Sequence, residues 1–261
     1  MDYEHLRYDR DGEFVTITLD RPERRNCLST GVLTELHHAF SATGEMSDVS
    51  GIVLASTGPV FSAGHDLAEM SGMTEEELRQ LFDVCTVAMR SMAEVPQVVV
   101  ARVQGVTTAA GAQLAASADL IVASEDAAFS TPGGKGGLFC HTPMVAVARQ
   151  IGRKRAVELA LTGGEISAAT ALDWGLVNRV VAHDDLEPVA LDWAAEINAK
   201  SPMAIRMLKY AFNMVDDGLI GQQIFAGEAT RLAYGADEAA EGRDAFLEKR
   251  PQDYSAFPYH F

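Results

Sequence analysis

Phe14-Val-Thr-Ile-Thr-Leu19 alternates apolar and polar positions with period two, the pattern of a half-buried strand, and leads into the turn-rich Asp20-Arg-Pro-Glu-Arg-Arg-Asn26. Ser29 then caps a helix predicted to run to about Thr43, with Val32, Leu33, Leu36 and Phe40 at helical spacing. Ile52–Ser56, Val98–Val103 and Leu120–Ala123 are short, nearly continuous apolar runs, which predicts strands covered on both faces. Between the first two, Thr74-Glu-Glu-Glu77 is a capping box that opens a helix to about Ala93, stopped by Pro96. A small-residue helix from about Gly111 to Ser117 joins the last two. Helices are expected from Arg153 to Leu161 and from Ser167 to Trp174, and Val177–Val181 is expected to be the last strand.

Strand and helix thus alternate over roughly the first 180 residues, which reads as α/β. From Asp184 onward the pattern is helical, broken at Ser201-Pro202, Asp217-Gly218 and Tyr234-Gly235. The chain divides into a core, residues 1–200, and a helical tail, residues 201–261. The tail carries Ile205, Leu208, Phe212, Ile220, Ile224 and Phe225 but is too short for a core of its own, so these faces should pack on the body or on a neighbouring subunit. There is no sequence repeat and no low-complexity segment.

At 261 residues the chain is one large domain or one domain with an appendage. Its 21 Lys and Arg against 37 Asp and Glu leave a net charge of −16. Such a surface repels nucleic acid and anionic membrane, so no nucleic-acid or membrane partner is expected, and any anionic ligand needs a local basic patch. Cys27, Cys85 and Cys140 stand far apart with no CxxC pair; this argues against a zinc site or a disulfide framework and suits a reducing, cytoplasmic compartment. Residues 1–14 lack the apolar run of a signal peptide, and Val98–Ala123 is interrupted by Arg102, Gln104, Gln113 and Asp119, so no membrane span is expected.

Generic catalytic motifs are absent: Gly133-Gly-Lys-Gly-Gly137 lacks the spacing of a phosphate loop, and no GxSxG, HExxH or GxGxxG occurs. Two stretches are more specific. Phe61-Ser-Ala-Gly-His-Asp-Leu67 and Val103-Gln-Gly-Val-Thr-Thr-Ala-Ala-Gly-Ala-Gln-Leu114 each bring a strand into a tight turn of small residues before a helix, which leaves backbone N–H groups unpaired. Alone, either is an ordinary strand-to-helix connection; facing one another, they would make an oxyanion hole.

Together these stretches resemble the F-x-A-G-x-D-L and V-x-G-x-A-x-G-G-G motifs of the crotonase (enoyl-CoA hydratase/isomerase) family. Arg21-Pro-Glu-Arg-Arg-Asn-Cys-Leu28 is similar to its R-P-x-x-x-N-A-L turn, and Glu241–Arg250 to its E-G-x-x-A-F-x-E-K-R. Ala109–Leu114 and the stretch from Thr131 to Cys140 are similar to the branch called enoyl-CoA hydratase domain-containing protein 3. The resemblance implies a crotonase-like α/β spiral of ββα units and an acyl-CoA ligand, with no cofactor beyond the coenzyme A of the substrate. It also implies trimers or dimers of trimers built through the C-terminal helices. The oxyanion donors would be the N–H groups of His65 and Ala110, with Ala110 standing at a family glycine, a tolerable change if its φ is negative. Ala63, Asp66 and Leu67 would cradle pantetheine and adenine, and Arg24 and Arg25 would border the CoA phosphates, with Lys249 added from the tail. Arg25 and Lys249 also read as plain solvated charges.

The departures from the family pattern matter more. Where family hydratases carry two glutamates, this chain has Gln113 and Gly133, and neither can accept a proton from water. Cys140 and His141 are the remaining candidates, since the second occupies a position where some family members place a working Asp. They would either supply a thiolate or imidazole base, with Lys135 lowering the thiol pKa if it points inward, or merely line the pocket wall. Two functions stay open: an enzyme acting on an acyl-CoA with little hydratase activity, or a protein that binds acyl-CoA without turnover.

Overall fold

A computed structural model describes residues 1–216 and 237–253. Its strands are β1 (Leu6–Asp11), β2 (Phe14–Leu19), β3 (Gly51–Ser56), β4 (Val60–Ser62), β5 (Val98–Val103), β6 (Val106–Thr108), β7 (Leu120–Ser124), β8 (Ala128–Ser130), β9 (Glu165–Ser167) and β10 (Arg179–Val181). The helices are α1 (Thr30–Gly44), α2 (Leu67–Met70), α3 (Glu75–Glu94), α4 (Ala110–Ala116), α5 (His141–Ile151), α6 (Arg153–Thr162), α7 (Ala168–Trp174), α8 (Leu186–Asn198), α9 (Pro202–Asp216) and α10 (Asp237–Glu248).

Strands β3, β5 and β7 each end at a sharp corner, and the next short strand joins a second sheet. The six-stranded sheet runs β1-β2-β3-β5-β7-β10 and the four-stranded sheet β4-β6-β8-β9. Each strand pair is followed by helix, so the expected ββα spiral is present as a structural repeat with no repeat in sequence. Gly105 shows what the corners demand: a Cβ there would lie 1.9 Å from the Pro59 carbonyl oxygen. Gln104 ties the same corner to the preceding one, its amide donating to Ser56 O, Ser56 Oγ and Gly58 O.

The continuous apolar runs follow from this layering. Val99, Ala101, Ile121 and Ala123 face the main core between sheets and helices, whereas Val100 and Val122 face α8 through Leu186, Ala190 and Ala194. Both caps form as expected: Ser29 Oγ accepts from Val32 N, and Thr74 with Glu77 makes the reciprocal capping box. Strand β1 was not legible because it is a polar edge strand, buried only at Leu6. Strand β10 starts later than expected because Asn178 Oδ1 takes the ladder bond from Ile121 N. Among the described residues no helix is long and apolar enough to cross a membrane, and all three cysteines are free.

The described part of the tail docks on the body. Lys209 of α9 is buried and donates to Met92 O, Gln97 O and Asp119 Oδ2 at 2.7–2.8 Å, so all three ammonium hydrogens are engaged. Asn213 Nδ2 adds a bond to Ala93 O. The other faces of α9 leave Met203, Met207, Leu208, Tyr210 and Phe212 exposed, and Ile205 is partly buried. Ile220, Ile224, Phe225 and the breaks at Asp217-Gly218 and Tyr234-Gly235 lie outside the described residues. Replacing Lys209 with Met removes a buried cation from two carbonyls and a carboxylate, and is expected to cost about 2–4 kcal/mol in urea unfolding. A loss below about 0.5 kcal/mol would show that α9 is not held this way.

Candidate functional site

The two small-residue turns meet. A Cβ on Gly64 would lie 3.0 Å from Ala109 Cβ and 3.1 Å from Ala110 N; one on Gly111 would lie 2.4 Å from Ser62 O. Side chains at these glycines would hold the turns apart. The backbone N–H groups of His65 and Ala110 have no hydrogen-bond partner among the described residues. Their neighbours are tied down: Leu28 N donates to Gly64 O, Ala63 N to Arg25 O, and Ala109 N to Ser130 O. Two unpaired N–H groups thus lie on two abutting turns that are each held by backbone bonds.

Ala110 has a negative φ, so its place at a family glycine is no strain. The strained residue is Ala109, at φ 52° and ψ −122°, a region that glycine favours. Sequence reasoning missed it, although the first of the motif's three consecutive glycines falls on Ala109 and was the signal available.

The Arg21–Leu28 turn packs beside the first motif, but its charges are arranged differently from expectation. Arg24 Nη2 donates to both oxygens of Asp66, at 3.2 and 2.9 Å, and Asp66 also caps α2 through Ala68 N and Glu69 N. Burial alone would raise the Asp66 carboxyl, but Arg24 and these N–H donors hold it below its ordinary value. Asp66 is thus a structural clasp on Arg24. Arg25 is exposed, in the left-handed region at φ 52°, with no side-chain partner among the described residues. Leu67 packs on the core. Lys249 follows α10, which approaches the Pro132–Gly136 turn, and its side chain is exposed.

Burial favours the neutral forms of His65 and Cys140. His65 is pushed down to about 4 by burial; its Nδ1 lies 3.4 Å from Leu28 O, its ring meets Phe82 edge-on, and its Nε2 is buried without a partner. Cys140 is pushed up to about 11 by burial, which favours the pocket-wall reading over the thiolate one. Lys135, expected to lower this thiol only if it pointed inward, has its side-chain stem against Gly163. His141 opens α5 beside the Phe139 ring and is lowered by burial. Gln113, one turn into α4, is buried, and neither its Oε1 nor the buried Thr131 hydroxyl has a hydrogen-bond partner among the described residues. Phe82 and Thr131 carried no sequence signal, since both sit in ordinary core positions. Cys140 Sγ and N would each lie 2.8 Å from a Cβ on Gly133.

The enoyl-CoA hydratase/isomerase family model matches residues 9–256. The chain belongs to this family. 1,4-Dihydroxy-2-naphthoyl-CoA synthase of Mycolicibacterium smegmatis is 42% identical, covering 95% of this chain and 86% of its own length. Enoyl-CoA hydratase domain-containing protein 3 of Rattus norvegicus is 38% identical, over 90% of this chain and 79% of its own. The crystal structure of the human domain-containing protein 3 superposes with a TM-score of 0.77 at 34% identity, covering 96% of this chain and all of the other. The branch resemblance read from residues 109–114 and 131–140 is borne out; the likeness to a naphthoyl-CoA synthase was not anticipated. For this hydratase/isomerase family member, two predictions follow from the turn geometry.

Ala109→Gly relieves about 1–3 kcal/mol of strain and loses about half to one through glycine's greater unfolded-state freedom, so a Tm rise of roughly 2–4 °C is expected. A lower Tm would contradict the strained conformation. For Asp66, a folded-state pKa below the ordinary 3.8 means a stabilisation present at neutral pH and lost as pH falls through 3.8 and below. Wild type should therefore lose more stability than Asp66→Asn between about pH 5 and pH 3; parallel acid limbs would show that the Arg24 clasp contributes nothing.

Proposed function

We propose that this protein binds acyl-CoA thioesters with the carbonyl oxygen between the N–H groups of His65 and Ala110, and stabilises the enolate that forms there, without being an efficient enoyl-CoA hydratase. The observation that carries this reading is the pair of unpaired N–H groups on two abutting turns. Preorganised backbone donors aimed at a developing oxyanion lose no energy to reorganisation and act in a site shielded from water. A relative named as the synthase of a naphthoyl-CoA supports a CoA thioester as ligand. Arg25, exposed and with no side-chain hydrogen-bond partner among the described residues, is our candidate to meet the CoA phosphates, with Lys249 as a second.

Gln113 and Gly133 take the places of the two hydratase glutamates, and each lost acid/base group removes about 10²- to 10⁴-fold in rate. Crotonyl-CoA hydration should be barely measurable. Gln113→Glu, close in shape to the native amide, should raise it. Gly133→Glu should not, for a reason of space rather than backbone conformation: its Cβ collides with Leu138 O and with Cys140 N and Sγ, and the variant should lose about 1–3 kcal/mol of stability. Wild-type turnover like that of ordinary hydratases would overturn this reading.

The second reading, binding without turnover, is favoured by the neutral His65 and Cys140. A thermal-shift series of CoA thioesters, followed by mass spectrometry of the incubated ligand, separates the two: binding with a mass change means an enzyme, binding without one a sequestering protein. We also propose a trimer or dimer of trimers, supported by the exposed apolar side chains of α9. Light scattering at micromolar concentration should show it, and a stable monomer would contradict it.

A further inference from the structure

A trans peptide points its N–H and its C=O in opposite directions, so the direction of a backbone donor is set by what the carbonyl of the same peptide accepts. For the Ala110 N–H that carbonyl is Ala109 O, which accepts from Gln113 N at 3.1 Å inside α4. This donor is fixed by its own helix. For the His65 N–H the carbonyl is Gly64 O, which accepts from Leu28 N at 2.8 Å. Its direction is therefore set by a separate segment, the Arg21–Leu28 turn. Gly64 itself, at φ 85°, has no Cβ to restrict it, so the constraint has to come from outside.

Backbone and hydroxyl bonds lace the two segments together up to Gly64. Ser62 Oγ donates to Asn26 O at 2.8 Å and Ala63 N to Arg25 O at 3.1 Å. Beyond Gly64 the lacing weakens, since Asp66 N reaches Leu28 O only at 3.4 Å. Side chains take over at that end. Arg24 Nη2 donates to both oxygens of Asp66, the residue after His65, at 3.2 and 2.9 Å, and Asp66 Oδ1 also accepts from Ala68 N and Glu69 N. The Glu69 carboxylate in turn accepts from Thr30 N at 3.1 Å. Arg24 before Leu28 and Thr30 after it are thus both fastened to residues 66–69. The Asp66 side chain is 7% exposed and that of Arg24 47%, so this ion pair is less screened by water than a pair with both partners on the surface.

Resting on the thioester-binding reading above, we propose that Arg24 and Asp66 are positioning residues: their ion pair holds the Arg21–Leu28 turn in register with residues 62–66, preserves the Leu28 N–Gly64 O bond, and so fixes the direction in which the His65 N–H meets a bound thioester oxygen. Neither side chain touches that oxygen. A hydrogen bond weakens steeply as its angle departs from straight, so a modest rotation of the Gly64–His65 peptide lowers the polarisation of the oxygen and leaves the ligand's other contacts in place. Losing the ion pair therefore acts on the carbonyl more than on affinity.

The test records the infrared carbonyl band of butyryl-CoA and of butyryl-pantetheine, which has no phosphate, each labelled with carbon-13 at the thioester carbonyl and bound to the intact protein. Wild type is compared with Arg24→Met, Asp66→Asn and Arg24→Lys, and with Arg79→Met, which removes exposed ion pairs to Glu76 and Asp83 on α3. Circular dichroism checks that each variant folds, and calorimetry gives its affinity. In Arg24→Met and Asp66→Asn the band is expected to return toward its solution position by about a quarter to a half of the wild-type displacement, with both ligands, while affinity for butyryl-pantetheine stays within about threefold. Arg24→Lys, which keeps a cation for Asp66, should retain most of the displacement, and Arg79→Met all of it. A displaced band in wild type that neither clasp variant moves would overturn the positioning role and leave the thioester reading intact. An effect of Arg24→Met seen with butyryl-CoA but not with butyryl-pantetheine would make Arg24 a phosphate contact and overturn it as well. A wild-type band at the solution position would overturn the thioester reading itself.

Discussion

The site depends on a backbone-to-backbone contact that no side chain could make. Gly64 lies against Ala109 and Ala110, and Gly111 against Ser62, at distances that would put a built Cβ 2.4–3.1 Å from its neighbours. On these close turns the N–H groups of His65 and Ala110 have no hydrogen-bond partner among the described residues. Much of the surrounding structure serves that approach. Strands β4, β6 and β8 lie side by side in one sheet, Ser130 O anchors Ala109, and the Arg21–Leu28 turn braces Gly64 from the other side. The strain at Ala109 is the local cost of the same approach, held by the bonds on either side of it.

Around these donors, charge has been removed rather than added. Family hydratases are expected to set two carboxylates near the thioester; here the positions hold an amide and a glycine, and burial keeps the nearby imidazole and thiol neutral. In a chain with a net charge of −16, the carboxylate next to the donor turn, Asp66, is paired with Arg24. On the proposed reading, charge developing on a bound ligand would be met by the backbone N–H groups alone.

Much of this was legible in the sequence because its signals are local. Buried strands announced themselves as apolar runs, α1 and α3 through their caps, and the two turns through motifs in which small residues cluster. What was not legible depends on contacts distant in the chain. Lys209 reads as a surface lysine on an amphipathic helix, and only the fold brings it to Met92, Gln97 and Asp119. Asp66 and Arg24 were both expected at the ligand, yet 42 positions apart in sequence they meet each other. Cys140 read either as a thiolate base or as a residue of the pocket wall; burial, which has no local signature, pushes its pKa up and favours the second.

The most direct measurement is isotope-edited infrared spectroscopy of a bound acyl-CoA labelled with carbon-13 at the thioester carbonyl. Two N–H donors polarising that oxygen should lower its stretching frequency on binding, and Ala110→Pro, which deletes one donor, should move the band back toward its position in water. A bound thioester whose band sits at the solution frequency in wild type would contradict the central role given to His65 and Ala110.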